Sequence, residues 1–385
     1  MREIYFDNSA TTRCFPEVAD IVRKTMLEDY GNPSSKHIKG MEAERYFRMA
    51  REQIASTLKV KPREIIFTSG GTESNNTALI GTALSKRRMG KHIITSNVEH
   101  AAIYKPLEFL EEEGWEVTFL PVDSKGHISL EELRQAIRPD TVLVSIMYVN
   151  NEMGAVEPIS EIGRIVKEQN PNTLFHTDAI QAYGKYDIRP KKEHIDMLSV
   201  SGHKIHGPKG IGFLYLDEKV HIKPLIYGGG QQEDMRSGTH NVPGMAGLGL
   251  AAEMVYTDHA AKMEKLQKLK DYFIDQVSML DGVTVNSEKG AAGAPQIASV
   301  SFAGVRAEVL LHALEERGIY VSSGSACSSN HPGISGTLKA IGVKQELLDS
   351  TLRFSFSEFN TEDEVDIAIA ALKELLPVLR RFYRH

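Results

Sequence analysis

The run Met197-Leu198-Ser199-Val200, continued by Ser201-Gly202-His203-Lys204, decides how this chain is read. A short β-rich stretch passes into small polar residues and ends on a lysine, as a strand does when it leaves a sheet and delivers a side chain at its edge. The neighbouring run Thr173-Leu174-Phe175-His176 ends in the same way, on Thr177-Asp178-Ala179-Ile180-Gln181. A lysine and an aspartate are thus expected at the ends of adjacent strands.

Working outward, five more runs have strand character: Glu64 to Thr68, His92 to Thr95, Glu116 to Leu120, Thr141 to Ile146 and Ile211 to Tyr215. Helical spacing of apolar residues fills Glu73 to Met89, Ala101 to Glu113, Leu130 to Ile137 and Ile159 to Glu168. This alternation predicts an α/β fold with a mostly parallel seven-stranded sheet covered by helices. Ligands on such sheets gather at the carboxyl ends of the strands. There the sequence places Thr72, Glu73, His100, Asn150, Asn151, Asp178 and Lys204. After the Gly-rich break Tyr227 to Gln231, a helical region is expected from Pro243 to Leu280. A smaller C-terminal α/β unit follows, with strands Ile297 to Phe302, Ile319 to Ser322 and Leu352 to Phe356, a helix Ala307 to Glu316 and a terminal helix from Thr361.

Composition narrows the class. The 385 residues carry a net charge of −6 with 25% charged residues, so no basic surplus points to direct nucleic-acid binding. The N-terminal residues lack the apolar stretch of a signal peptide, and no later run has the length of a membrane span. The expectation is a soluble, cytoplasmic protein without membrane attachment. Two cysteines, Cys14 and Cys327, are too few for a disulfide framework or a thiolate metal site, and no His/Cys cluster argues for a metal.

The chemistry-bearing residues point to an aldehyde cofactor. A lysine amine can form a Schiff base with pyridoxal 5'-phosphate, and a carboxylate can keep the pyridine nitrogen protonated so that the ring accepts electrons. Lys204 and Asp178 suit these two roles. Thr68-Ser69-Gly70-Gly71-Thr72-Glu73 lies between a strand and a helix, where glycines, a hydroxyl and free N–H groups can receive a phosphate, and Ser201 and His203 stand beside Lys204. His100 can stack on a pyridine ring and carry protons, Gln181 can donate to a phenolic oxygen, and Asn151 can reach cofactor or substrate. The small-residue loop Ser322 to Gly333 presents Cys327 as a candidate nucleophile, whereas Cys14 is expected to be buried. The planar fork of Arg353 suits a substrate carboxylate.

With these residues assembled, the chain resembles the cysteine desulfurases of the NifS/IscS type, fold-type I pyridoxal phosphate enzymes related to class V aminotransferases. The resemblance runs through Tyr5-Phe6-Asp7-Asn8-Ser9-Ala10-Thr11-Thr12, Gly31 to Ser35, Phe67 to Ser74, Val149 to Gly154, Asp178 to Gln181, Ser201 to Lys204, Gly207 to Gly210, Arg236 to Thr239 and Ser322 to Cys327, in that order. It implies a large cofactor-binding domain over residues 15–258 and a small domain built from 1–14 and 259–385, with the cysteine loop in the latter. It also implies that Lys204 carries the Schiff base, that Asp178 pairs with the pyridinium, and that His100 stacks on the ring. Gly71, Thr72, Ser201 and His203 would hold the phosphate, with Thr239 of a second subunit completing the site in a homodimer. Gln181 and Asn151 would bind the cofactor, and Asn8, Asn151 and Arg353 the substrate. Cys327 would take sulfur from L-cysteine as a persulfide, leave L-alanine, and pass the sulfur to an acceptor protein in iron–sulfur cluster assembly or tRNA thiolation.

A selenocysteine lyase or a small-substrate class V aminotransferase is the alternative, and the loop cysteine speaks against the aminotransferase. Three departures from the family pattern stand out. Arg13 replaces a usual proline, Gln231-Gln232-Glu233-Asp234 follows the triple glycine, and the chain ends at His385 without the tail that housekeeping members use on a scaffold protein.

Overall fold

The computed structural model describes residues 3–323 and 335–382. The chain enters through β1 (Ile4–Tyr5), α1 (Pro16–Leu27) and α2 (Ile38–Leu58). It continues through β2 (Ile65–Thr68), α3 (Gly71–Lys86), β3 (His92–Ser96), α4 (Ala101–Glu112), β4 (Glu116–Leu120), α5 (Leu130–Ala136), β5 (Thr141–Ser145), α6 (Ile159–Gln169), β6 (Leu174–Asp178), β7 (Met197–Ser201) and β8 (Gly212–Leu216). Strands β2 to β8 form the expected seven-stranded sheet, in the order β2-β8-β7-β6-β5-β3-β4. All neighbouring pairs are parallel except those made by β8, which runs antiparallel between β2 and β7.

Burial on both faces explains the continuous apolar runs. Phe67, Ile94, Val144, Phe175, Leu198 and Phe213 belong to the core on one face, and Ile66, Ile93, Leu143, Leu174, Met197 and Leu214 to the core on the other. Helix α6 buries Ile159, Ile162, Ile165 and Val166 along one stripe. Each such side chain contributes about 1.5–3 kcal/mol when fully buried.

The chain then forms α7 (Val242–Tyr256), α8 (His259–Ser278), β9 (Val283–Val285), β10 (Ile297–Phe302), α9 (Ala307–Glu315), β11 (Ile319–Tyr320), β12 (Ser322–Ser323), α10 (Gly336–Ala340), β13 (Thr351–Ser355) and α11 (Glu362–Phe382). A four-stranded sheet, β12-β13-β10-β9, packs on α8, α9 and α11 around a separate core that includes Phe273, Phe302, Phe354 and Leu372. Ile4 and Phe6 of the N-terminal segment join this core, whereas Phe15 and Val18 join that of the large sheet. Among the described residues, no helix is long and apolar enough to cross a membrane.

The structure refines several expectations. The helical region after Pro243 is two helices, because Asp258 adopts a left-handed conformation at φ 51°. The run Ile319 to Ser322 divides at Val321. Its first half pairs in parallel with β1 and its second half antiparallel with β13. Helices α1 and α2 were not anticipated. Their contact with α7 combines close backbone approach, where a Cβ at Gly249 would lie 2.6 Å from the Ala50 Cα, with a small cluster of Ala43, Tyr46, Val242 and Ala246. Cys14 is only half-buried, and burial raises its thiol pKa although Lys209 opposes the shift.

One glycine sets how closely two functional strands approach. A Cβ at Gly212 would lie 2.4 Å from the Val200 carbonyl oxygen and 2.8 Å from the Gly70 Cα, and neither backbone atom can yield cheaply. Gly212→Ala is therefore expected to lower stability by about 1–3 kcal/mol and to loosen the Gly70 turn. A urea melt that overlays the wild-type curve would refute this role.

Candidate active site

The sheet gathers the reactive groups at one edge. In register, Asp178 lies opposite Ser199, and Ser201 opposite Gly212, which in turn faces Thr68. The exits of β2, β6 and β7 are therefore side by side, and a cleft of about 590 Å³ opens over them. Of the residues expected from sequence, Gly71, Thr72, His100, Asn151, Asp178, Gln181, Ser201, His203, Lys204 and Arg353 all line it. Asn8 does not; its amide donates to the Tyr5 and Ser355 carbonyls and to Asn360 Oδ1, and it borders a smaller cavity beside Lys204. Thr239 is exposed and outside the cleft. Cys327 lies outside the described residues.

Asp178 is buried at the end of β6. Burial pushes its carboxyl pKa up, opposed by the Ile180 N–H, His100, Asn75 and Lys204. The Ile180 N–H donates to Oδ1 at 3.0 Å and Asn75 Nδ2 to Oδ2 at 2.7 Å. Asn75 projects from the first turns of α3, and its role was not read from the sequence. Gln181 donates from Nε2 to the Ser9 carbonyl at 3.0 Å.

An N-terminal strap crosses the same cleft. Lys204 Nζ donates to the carbonyls of Ser9 and Ala10, the latter at 2.7 Å. The Thr12 N–H and Oγ1 both donate to the His203 carbonyl, at 2.8 and 2.9 Å. His203 Nδ1 lies 3.2 Å from Thr11 Oγ1, and its pKa falls to about 4 through burial and the nearby Lys204 and Lys209. His203 is thus neutral at pH 7 and able to serve as a hydrogen-bond partner there.

The anion-binding corner is built at the start of α3. Gly70 has φ 152°, a conformation that side chains disfavour, and a Cβ on Gly71 would lie 2.1 Å from Ile180 Cδ1. The first turn of a helix has N–H groups without intrahelical partners, suited to a phosphate. Glu73 braces this corner by accepting from the Ser69 N–H at 2.8 Å and from Arg236 Nε at 2.9 Å. The segment after the triple glycine is tied to the same place. Gln232 pairs its side-chain amide with the backbone of Phe67, accepting at 2.7 Å and donating at 2.9 Å. The departure at residues 231–234 therefore contains a strut against the edge of β2.

His100 caps α4, its Nδ1 accepting from the Ala102 N–H at 3.1 Å. The preceding Glu99 is fully buried. Its Oε1 accepts from Ser96 Oγ at 2.7 Å and the Met147 N–H at 2.9 Å, while Oε2 has no partner among the described residues.

An amine, a buried carboxylate, a neutral imidazole and a helix-start anion cradle converge on one cleft. That set matches the functional groups of pyridoxal phosphate, so the residues present fit the cofactor expected from sequence. The description "Aminotransferase class-V" matches residues 4–367.

The chain belongs to the class-V aminotransferase family.

Within this family, it is 43% identical to "Cysteine desulfurase IscS" of Methanosarcina thermophila, over 98% of this chain and 93% of that protein. It is 42% identical to "Putative cysteine desulfurase IscS 1" of Bacillus subtilis (strain 168), over 99% and 100% respectively. Among solved structures, "NIFS-LIKE PROTEIN" superposes with a TM-score of 0.93 at 38% identity, covering 98% of this chain and all of that one. "SspA in complex with cysteine" gives a TM-score of 0.81 at 36% identity, covering 93% of this chain and all of that one.

The buried Glu99 generates a pH test. Burial raises its pKa from 4.5 to about 8, against the Met147 N–H and Ser96 Oγ, which lower it. Between those two values the folded chain keeps a proton that the unfolded chain has released, so this group's stabilising contribution is lost as pH rises through the window. Glu99→Gln stays neutral throughout. Its urea midpoint is expected to fall less between pH 5 and pH 8 than that of the wild type. Parallel pH dependences would rule out a proton on Glu99.

Proposed function

We infer that this chain is a pyridoxal phosphate-dependent cysteine desulfurase, which converts L-cysteine to L-alanine and captures the sulfur as a persulfide. The observation that carries the reading is the convergence of Lys204, Asp178 and Arg353 on one cleft in a chain aligned almost end to end with cysteine desulfurases. When bound, the cofactor supplies an aldehyde for the substrate amine and a sink for the electrons of its Cα–H bond.

Each residue then has a task. Lys204 Nζ would hold the cofactor's aldehyde and would carry the proton taken from the substrate Cα. Asp178, held by Asn75 and the Ile180 N–H, keeps a proton on the pyridine nitrogen. Gly71, Thr72, Ser201 and His203 hold the phosphate. His100 covers the ring and assists proton movement, and Gln181 and Asn151 orient the cofactor's oxygen and the substrate. Arg353 takes the substrate carboxylate, with Asn8 supporting the strap beside it.

Cys327 completes the reaction. Its thiolate attacks the substrate sulfur, an S–S bond forms as the Cβ–S bond breaks, and the electron pair of the broken bond stays with the carbon skeleton, which takes up protons and leaves as alanine. The described residues flanking that cysteine support this assignment. Ser322 of β12 pairs with Arg353 of β13, and the Ser335 hydroxyl donates to the carboxylate of Glu152, the residue after Asn151. Both ends of the segment carrying Cys327 are therefore fastened beside the substrate site.

The same reading divides the chain into a large domain over residues 15–258 and a small one from 1–14 and 259–385. It takes the active unit to be a homodimer in which Thr239 of the second subunit completes the phosphate site. Sulfur then passes to an acceptor protein in iron–sulfur cluster assembly or tRNA thiolation, in the cytoplasm.

The purified protein is expected to show a visible absorption band that Lys204→Ala abolishes, because the band depends on the cofactor being held by the Lys204 amine. A wild type that stays colourless after addition of the cofactor would overturn the assignment of Lys204.

Cys327→Ala separates a desulfurase from the other enzymes of the family. It should keep the visible band and its response to L-cysteine while losing alanine formation, since a methyl group cannot attack sulfur. After incubation with L-cysteine and alkylation, mass spectrometry of the wild type should find one additional sulfur on the Cys327 peptide and none on Cys14. Wild-type turnover by Cys327→Ala would instead favour direct elimination and the selenocysteine lyase reading.

A further inference from the structure

Arg353 stands in the middle of β13, opposite Ser299 on one side and Ser322 on the other. Its side chain is 6% exposed although it borders the cleft. A guanidinium so buried must be both neutralised and oriented by its neighbours. Nη1 donates to the Asn151 carbonyl at 2.8 Å and Nη2 to Asp7 Oδ1 at 3.0 Å. Nε is buried with no partner among the described residues. Two arms of the fork are therefore engaged by the protein, and Nε remains to be satisfied.

The Asp7 carboxylate is itself held in place. Its backbone forms a parallel bridge with Ser355, the Ser355 N–H donates to the Phe6 carbonyl, and the Asn8 N–H donates to the Ser355 carbonyl at 3.2 Å. Arg353 thus lies between the N-terminal strap, which supplies Asp7, and the turn after β5, which supplies the Asn151 carbonyl. An arginine fork recognises a carboxylate through its fixed planar geometry, so holding that plane before the ligand arrives reduces the ordering cost of binding.

We propose that Asp7 is a positioning residue for the substrate carboxylate: by taking one arm of the Arg353 fork, it fixes the guanidinium plane so that the N–H groups left on Nη1 and Nη2 meet the incoming amino acid. This rests on the reading of Arg353 as the carboxylate ligand. Asp7 acts through Arg353 and touches neither cofactor nor substrate. Its role concerns binding, so its loss should be felt equally by bound substrate and transition state, raising KM and leaving kcat nearly intact.

A double-mutant cycle tests the proposal. Steady-state alanine formation from L-cysteine is measured for wild type, Asp7→Ala, Arg353→Ala and the double variant, with the visible band and melting temperature recorded for each. Asp7→Ala is expected to raise KM about tenfold with kcat within about twofold, and to add nothing further once Arg353 has been removed. The dissociation constant for L-alanine, read from the change in the visible band, should rise in parallel. If Asp7→Ala does not fold, Asp7→Asn preserves the shape and one acceptor oxygen, and is expected to raise KM by a smaller factor in the same direction. An unchanged KM in both Asp7 variants overturns the proposal. So does an equal rise whether or not Arg353 is present, with the assignment of Arg353 left standing. An unchanged KM in Arg353→Ala overturns that assignment as well.

Discussion

A carboxylate buried at the end of a central strand is the constraint around which this structure is organised. Removing an ionised group from water costs several kcal/mol unless hydrogen bonds and opposite charge replace the solvent. Asp178 receives one donor from the Ile180 N–H, where the chain turns out of β6, and another from Asn75 of α3. Lys204 and His100 add favourable charge. These contributions come from the exits of four different strands, so the carboxylate is supported only when β2, β3, β6 and β7 hold their register. A group this costly to bury is worth retaining where its negative charge has a task, such as keeping a proton on a pyridine nitrogen.

The antiparallel strand β8 governs the other half of the site. It separates β2 from β7 in the sheet, yet its first residue, Gly212, has no side chain, and so the Gly70 turn comes close to the exit of β7. The first turn of α3 and the lysine from the turn after β7 consequently share one cleft. Gln232 and Arg236 secure this arrangement from outside, through Phe67 and Glu73 respectively. The N-terminal strap joins the two sheets, with Ser9 and Ala10 holding Lys204 and Asp7 holding Arg353. The placements of Arg353 and Lys204 are in this way coupled through a few consecutive residues of one segment.

Much of the large sheet was legible because six of its strands are buried nearly throughout and read as short β-rich runs against the amphipathic helices, while the edge strand β4, largely exposed, was legible from its β-branched and aromatic residues. Helices α1 and α2 were not legible. Their seam with α7 depends in part on glycine and alanine, such as Gly249 against Ala50, whose value lies in close approach rather than in hydrophobic area. The junction of α7 and α8 escaped notice because a single left-handed residue, Asp258, interrupts an otherwise helical pattern. In the site, most residues that line the cleft could be nominated by chemistry, but those that hold them in place could not. Asn75, Asp7 and Glu99 all lay within or beside quoted motifs, and nothing in their spacing told which distant group each would face.

The sequence by itself determined the alternation of strand and helix, the position of Thr72, His100, Asp178 and Lys204 at strand exits, and the family, since these depend on local pattern and residue type. Only the tertiary structure decided that β8 runs antiparallel between β2 and β7, that the N-terminal strap crosses the cleft, and that Asn8 turns its amide toward Tyr5, Ser355 and Asn360. The physical reason is range. A strand or cap is set by neighbours a few residues away, whereas the partner of a buried charge is chosen by whichever segments, often hundreds of residues apart, can satisfy it without leaving another polar group unpaired.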